Sequence, residues 1–151
     1  MPKIFYIMAL VLGALLAAGS ALAHDDAYLD TQKAPHGGQL RMAGIYHFEL
    51  VVDRTSPEAK EKPVAVYLTD HAGQKIPASG ATGSATLLSG KTRTTVTLTP
   101  DGDNRLKGLG KYASTPDLKA IVSITPAAQG AGQARFTPLN ATDEAHGSHT
   151  Q

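Results

Sequence analysis

The sequence predicts an all-β domain, an antiparallel β-sandwich of seven to nine short strands with immunoglobulin-like Greek-key connections. Three observations predict this class. Apolar and polar residues alternate in short runs, and glycine, proline, asparagine and aspartate separate those runs. After residue 23 no segment keeps a 3.6-residue apolar period over three turns, so strands without intervening helices are expected. A small barrel is the alternative arrangement.

The strongest alternating run extends from Ile45 to Asp53. It places Tyr46, Phe48, Leu50 and Val52 on one face of a strand, which we expect to be core, and turns the intervening residues outward. The other strands are expected at 64–69, near Ile76, and at 81–88, 92–99, 118–125 and 134–137.

Turn sequences separate these later strands. Asp70-His71-Ala72-Gly73 and 100–104 have the composition of turns, and Ser89-Gly90-Lys91 predicts a hairpin between the strands at 81–88 and 92–99. In that hairpin Val96 and Leu98 should face inward, with a threonine-rich face outward.

The chain is expected to divide into four parts. Residues 1–23 have the pattern of a secretory signal peptide: Lys3, an apolar run, and an A-x-A cleavage site at Ala21 and Ala23. Residues 24–35 form an N-terminal extension, 36–139 the β-sandwich, and 140–151 a flexible tail. We therefore expect a periplasmic or secreted protein, with no membrane segment after cleavage.

Composition excludes several classes of function. There is no cysteine, so disulfides, thiolate metal sites and thiol nucleophiles are excluded. Loss of the signal peptide removes one lysine and leaves 13 basic and 13 acidic side chains, a balance that does not favour nucleic acid as a partner. No G-x-S-x-G, H-E-x-x-H or phosphate-loop motif occurs, so we do not expect an enzyme.

Candidate metal ligands concentrate in residues 34–50, around a glycine-rich hairpin. His47 and Glu49 lie two residues apart on one strand face, close enough to share an ion, and His36 can bend over the same strand. Imidazole and carboxylate suit Zn²⁺ or Cu²⁺, and the Met42 thioether would favour Cu⁺. The competing interpretation is that these are solvated or gap-filling side chains.

The expected register of this hairpin follows from a three-residue loop, Met42-Ala43-Gly44. That loop pairs Leu40 with Tyr46 and Gln39 with His47. A two-residue loop would instead place Leu40 opposite His47, which fits the apolar face less well.

The remaining histidines, His24, His71 and the two in the tail, are expected to differ in their ability to bind a metal ion. Cleavage after Ala23 would make His24 the mature N-terminus, where its amine and ring can chelate together. With His36 or His47 as the partner, this arrangement resembles the copper brace of small periplasmic copper carriers and of copper-dependent polysaccharide oxidases. His71 is expected to be solvated in its turn, and the two tail histidines are expected to be part of a polar tail.

Three segments together resemble a family of small exported bacterial β-domains. They are Pro35-His36-Gly37-Gly38, Tyr46-His47-Phe48-Glu49-Leu50 and Val64-Ala65-Val66-Tyr67-Leu68-Thr69-Asp70. These domains occur alone or beside periplasmic adaptor subunits of heavy-metal efflux systems, and the resemblance covers roughly residues 34 to 125. It implies binding of a divalent or copper ion in the periplasm through His36, His47 and Glu49.

The expected function is reversible binding of copper or zinc, as a buffer, a carrier or a resistance accessory with a heavy-metal efflux component as partner. Because imidazole must be deprotonated to bind, affinity should fall as the pH drops through roughly 6 to 7. A first alternative is a non-metal adhesion or assembly module of the cell envelope that uses the face around Thr92, Thr94 and Thr97. A second is a brace-type copper oxidase, which requires His24 at the N-terminus.

Overall fold

The computed structural model describes residues 25–140, which form one short helix and eight strands. These are α1 (Asp26–Asp30), β1 (Gln39–Ala43), β2 (Tyr46–Val52), β3 (Lys60–Asp70), β4 (Thr82–Ser89), β5 (Thr92–Pro100), β6 (Arg105–Tyr112), β7 (Lys119–Thr125) and β8 (Gly132–Phe136). The expected all-β antiparallel fold with seven to nine short strands is confirmed. Residues 1–23, His24 and 141–151 lie outside the described residues, as do the signal peptide and nearly all of the tail predicted there.

All eight strands belong to one antiparallel sheet in the order β1-β2-β3-β6-β5-β4-β7-β8. Two crossings, from β3 to β4 and from β6 to β7, generate overlapping Greek keys. The sheet folds into two facing halves joined at β5, which pairs with β4 along most of its length and with β6 at Thr99 and Pro100. The two edge strands meet, and the Thr137 amide donates to Gln39 Oε1 at 2.8 Å just beyond β8, so the sheet is nearly closed.

The hydrophobic core lies between the two halves. The inward residues predicted for β2 (Tyr46, Phe48, Leu50 and Val52) are all buried, and so are Val96 and Leu98 of β5. Alternation of the apolar residues therefore predicts the core-facing side of both strands correctly.

Strand β6 is absent from the sequence-based prediction because glycine occupies two of its inward positions. A Cβ on Gly108 would lie 2.3 Å from the Thr97 carbonyl oxygen, and a Cβ on Gly110 would lie 2.3 Å from a Val96 methyl group. Close packing of β6 on β5 thus requires residues that conceal the apolar alternation.

The register predicted for the first hairpin is wrong. Ala43 pairs with Tyr46 and Met42 with His47, so the loop is Gly44-Ile45, with Gly44 at φ +68°. This loop also has two residues, but the two-residue alternative expected from the sequence pairs Leu40 with His47, whereas here Met42 pairs with His47. The reason is Arg41, which shares the core-facing side with Phe48 and breaks the apolar pattern of β1.

Two other local expectations are also wrong. Near Ile76 there is only an isolated bridge between Thr69 and Lys75 instead of a strand. In β5, Thr94 pairs with the buried Leu87 and lies on the core-facing side of the strand, where its hydroxyl donates to the Lys111 carbonyl. Thr97 faces outward as expected, and Thr92 at the start of the strand is exposed.

Among residues 25–140 no helix is long and apolar enough to cross a bilayer.

Candidate functional site

The chain preceding β1 packs against the sheet. Leu29 of α1 is buried, and Arg41 donates to the Asp30 carboxylate. The Met42 amide donates to Asp26 Oδ1 at 3.0 Å. The described part of the predicted extension therefore covers β1 and the neighbouring outer face of β2.

This covering buries a carboxylate that alternation alone would turn toward solvent. Glu49 is only 3% exposed. Its Oε1 accepts from the backbone amides of His36 at 2.8 Å and Gly38 at 3.0 Å, while Oε2 lies 2.7 Å from His36 Nδ1. Three hydrogen bonds thus compensate for the removal of this carboxylate from water.

The glycines after His36 make this arrangement possible. A Cβ on Gly38 would lie 2.4 Å from the Leu50 carbonyl oxygen, so only glycine allows the chain to approach β2 so closely. Gly37 has φ +72°, in the left-handed region. The His-Gly-Gly sequence is therefore the local signal for a loop that wraps around Glu49.

Two contacts fix the ring of His36. It stacks on Tyr67 of β3, with centroids 3.5 Å apart and an interplanar angle of 5°. Because an ionised carboxylate can only accept hydrogen bonds, Nδ1 carries the proton that is shared with Glu49. In the neutral ring the lone pair is then on Nε2, and the side chain is 40% exposed.

Two further histidines, His47 and His71, lie along the same face as a stacked pair. The rings of His47 and His71 stack with centroids 4.8 Å apart, and the Nε2 atoms of both rings are buried. Pairing of Tyr46 with Asp70 brings the turn after β3 back beside the start of β2. The expectation that His71 is solvated is therefore wrong, and the pairing of β2 with β3 is the signal that could have identified it.

All of these side chains line one pocket of about 300 Å³. It is lined by His36, His47, His71, Glu49 and Tyr67, together with residues of the N-terminal segment and the turn after β3. Across residues 25–140, no group of three or more histidine, aspartate or glutamate side chains is already arranged to hold a metal ion. The pocket thus contains three imidazoles without forming a ready-made metal centre.

The sequence-predicted ligands separate into three groups. His36 and Glu49 are in direct contact, and His47 lines the same pocket. Met42 is the cross-strand partner of His47 on the same face and is partly buried, but the pocket is lined without it. His24 lies outside the described residues.

A separate polar cluster lies at the opposite end of β3. The Tyr112 hydroxyl donates to the Pro63 carbonyl at 2.7 Å and accepts from the Asp53 amide at 2.9 Å. Burial raises the pKa of Tyr112 to about 12. Lys62 Nζ lies 4.4 Å from the ring centroid, and burial lowers the pKa of this lysine. These groups support the fold at a distance from the histidine pocket.

Comparison with known proteins gives a structural likeness. No family model and no curated protein matches the chain. Among solved structures, the crystal structure of a DUF4426 family protein from Pseudomonas aeruginosa is similar, with a TM-score of 0.48 and 14% sequence identity. The match covers 68% of this chain and 94% of that one.

Proposed function

We propose that this chain is an exported, non-enzymatic protein that binds a copper or zinc ion reversibly in the pocket beside β2. Its role would be that of a buffer, a carrier or an accessory to a heavy-metal efflux component in the periplasm. The observation that carries the proposal is the convergence of His36, His47 and His71 on one pocket of about 300 Å³. Both metals accept imidazole nitrogen as a ligand.

Glu49 supports this site as a positioning residue. Its carboxylate holds Nδ1 of His36 at 2.7 Å, which leaves the opposite ring nitrogen as the donor toward a metal ion. Pairing of a ligand histidine with a carboxylate is common at metal sites, where it fixes the tautomer and increases the basicity of the ligand. From the sequence alone, Glu49 is expected to share the ion with His47; in the proposed site it acts through His36.

His47 and His71 would supply two further nitrogen donors. Two neighbouring imidazolium charges repel each other, whereas both neutral rings can bind one ion. Met42 lies on the same face as His47, and its thioether would favour Cu⁺. His24 is an optional ligand.

The lack of a preformed centre within residues 25–140 is consistent with reversible binding. Ligands that must be drawn together cost free energy on binding, which weakens the complex and favours release. His71 lies on a four-residue turn that contains Ala72 and Gly73, both exposed, so it is the ligand best able to move. Such a site suits a buffer or carrier better than a permanent structural metal.

Calorimetric titration of the purified exported protein with Cu²⁺ and with Zn²⁺ tests the proposal. We expect one ion per chain and an affinity that falls as the pH drops through roughly 6 to 7. The variant with His47→Ala and His71→Ala should lose binding by tenfold or more, and His36→Ala should weaken it as well.

The matched control carries His146→Ala and His149→Ala, which removes the same number of imidazoles from the tail. Its affinity should equal that of the wild type. Equal affinity in the His47/His71 variant would contradict the proposal, and loss of binding in the tail variant would assign the metal to the tail. A folded protein that no metal stabilises would instead favour the alternative of an envelope adhesion or assembly module.

A further inference from the structure

A second concave surface, here called the basic groove, lies mainly on the outer face of β4, β7 and β8 and is bordered by Arg93 of β5 and Arg41 of β1. Its volume is about 660 Å³. Four of its lining residues are basic and none is acidic; the four are Arg41, Arg93, Lys119 and Arg135. This segregation contrasts with the balanced composition of the whole chain.

Three of these cations have no ion-pair partner within the described part of the chain. Arg41 is held by Asp30, but Arg93, Lys119 and Arg135 form no ion pair among residues 25–140. The acid nearest Lys119 in sequence is Asp117, whose carboxylate accepts from the Thr115 hydroxyl at 2.5 Å. That hydrogen bond and, less strongly, the charge of Lys119 lower the pKa of Asp117, although the lysine and aspartate side chains form no ion pair. The lining of the groove therefore carries an excess of positive charge, which Asp117 offsets in part beside Lys119.

Strand register brings these cations together around an apolar floor. Leu88 of β4 pairs with Arg93 on one side and with Lys119 on the other. Ile121, which is 39% exposed, pairs with Arg135. Since neighbouring strands lie about 4.8 Å apart, the backbone of Lys119 lies roughly 10 Å from that of Arg93 and nearer still to that of Arg135. Arg93 and Arg135 lie three strands apart, with roughly 15 Å between their backbones.

We propose that the basic groove binds an organic anion that carries a phosphate or carboxylate head on an apolar body. Arginine presents planar paired donors that match such heads. The volume is in the range of small-molecule sites, so a bare inorganic ion would leave most of the groove empty. Leu88 and Ile121 provide the apolar contact, and hydroxyls such as those of Ser84 and Ser123 lie beside them.

This site is independent of the metal proposal. The basic groove and the histidine pocket share no lining residue, and apart from Arg41 of β1 the strand residues that line the groove belong to β4, β5, β7 and β8. Failure of either proposal therefore leaves the other intact.

Dodecyl phosphate, used below its critical micelle concentration, is a suitable probe for calorimetry on the full exported chain. We expect saturable one-to-one binding that weakens as salt is added. The variant with Arg93→Gln and Arg135→Gln should bind at least about tenfold more weakly, because each lost charge-assisted hydrogen bond contributes on that scale. Both arginines are exposed, so the variant should melt like the wild type.

The matched control is Lys107→Gln with Lys111→Gln on the exposed side of β6, which removes the same charge elsewhere. It should bind like the wild type. Lys119→Gln, on a different strand, should also weaken binding, which guards against a local effect of the arginine changes. Undiminished binding in the arginine variant would overturn the proposal, as would equally tight binding of inorganic phosphate or of uncharged dodecyl maltoside.

Discussion

The outer faces of the two halves of this sheet share an alternating pattern but differ in solvent exposure. On β2, the outward residues His47 and Glu49 are buried, with Glu49 only 3% exposed. On β4 and β7, the outward Thr86 is partly exposed and Ile121 is 39% exposed. The N-terminal segment and the turn after β3 cover the first face, whereas within residues 25–140 nothing comparable covers the second.

The difference shows that the alternation of residues in a strand does not by itself determine whether an outward side chain is exposed to solvent. Alternation specifies which side chains share a face, but the exposure of that face depends on segments brought there by tertiary packing. A covered face must satisfy its polar groups internally, as Glu49 does through His36 and Gly38. An open face can leave its cations to solvent and to ligands.

The largest effect is expected at the point where the covering chain meets β2. Gly38→Ala would force a Cβ to within 2.4 Å of the Leu50 carbonyl oxygen. We expect about 3 kcal/mol or more of lost unfolding free energy in a urea titration, because rigid backbone must move. Gly37→Ala is the control: it meets open space and should cost only about 1 kcal/mol for its positive φ. Equal losses in the two variants would show that the covering chain is not closely packed on β2.

The next largest effect is expected at Glu49, the carboxylate buried beneath the N-terminal segment. Glu49→Gln replaces three charge-assisted hydrogen bonds with weaker neutral ones and should cost about 2 kcal/mol in the same titration. The glutamine amide would donate to Nδ1 of His36 and move the ring proton to Nε2, so metal affinity should fall by about 10- to 100-fold. Lost stability with unchanged metal affinity would make Glu49 structural only.

Tyr112 lies in the core, on neither of the two outer faces compared above, and shows what burial does to a polar group there. Because its pKa rises from 10.0 to about 12 on folding, its contribution to stability is complete below pH 10 and is lost as the pH rises toward 12. Unfolding titrations from pH 9 to pH 12 should show a decline of about 1–2 kcal/mol that Tyr112→Phe reduces. An identical decline in both proteins would contradict this assignment.

The smallest effect is expected on the open face. Thr86→Ala, beside Thr95 and Ile121, should change the unfolding free energy by no more than about 0.5 kcal/mol, since the site remains solvated. A loss comparable to that of Glu49→Gln would indicate that another part of the chain covers this face as well.

The fold class and most strand positions could be predicted from sequence because they depend on local alternation and on turn residues. Strand β6 could not, since Gly108 and Gly110 replace apolar residues where β6 packs on β5. The first hairpin register failed because Arg41 occupies a core-facing position and is compensated by Asp30, a residue outside the hairpin.

The candidate site could be predicted only in part. His36, His47 and Glu49 were identified because a short segment contains them. His71 was not, because it approaches His47 through the pairing of β2 with β3, over a separation of 24 residues. Burial of Glu49 likewise depends on chain that precedes the hairpin, which alternation within one strand does not reveal.

The most direct test of the histidine pocket is an NMR spectrum of the imidazole nitrogens during titration with Zn²⁺. We predict that the ring nitrogens of His36, His47 and His71 shift together and saturate at one ion per chain, while His146 and His149 remain unchanged. Before zinc is added, Nδ1 of His36 should carry the proton that Glu49 accepts. Shifts confined to the tail histidines, or no shifts at all, would contradict zinc binding in the histidine pocket.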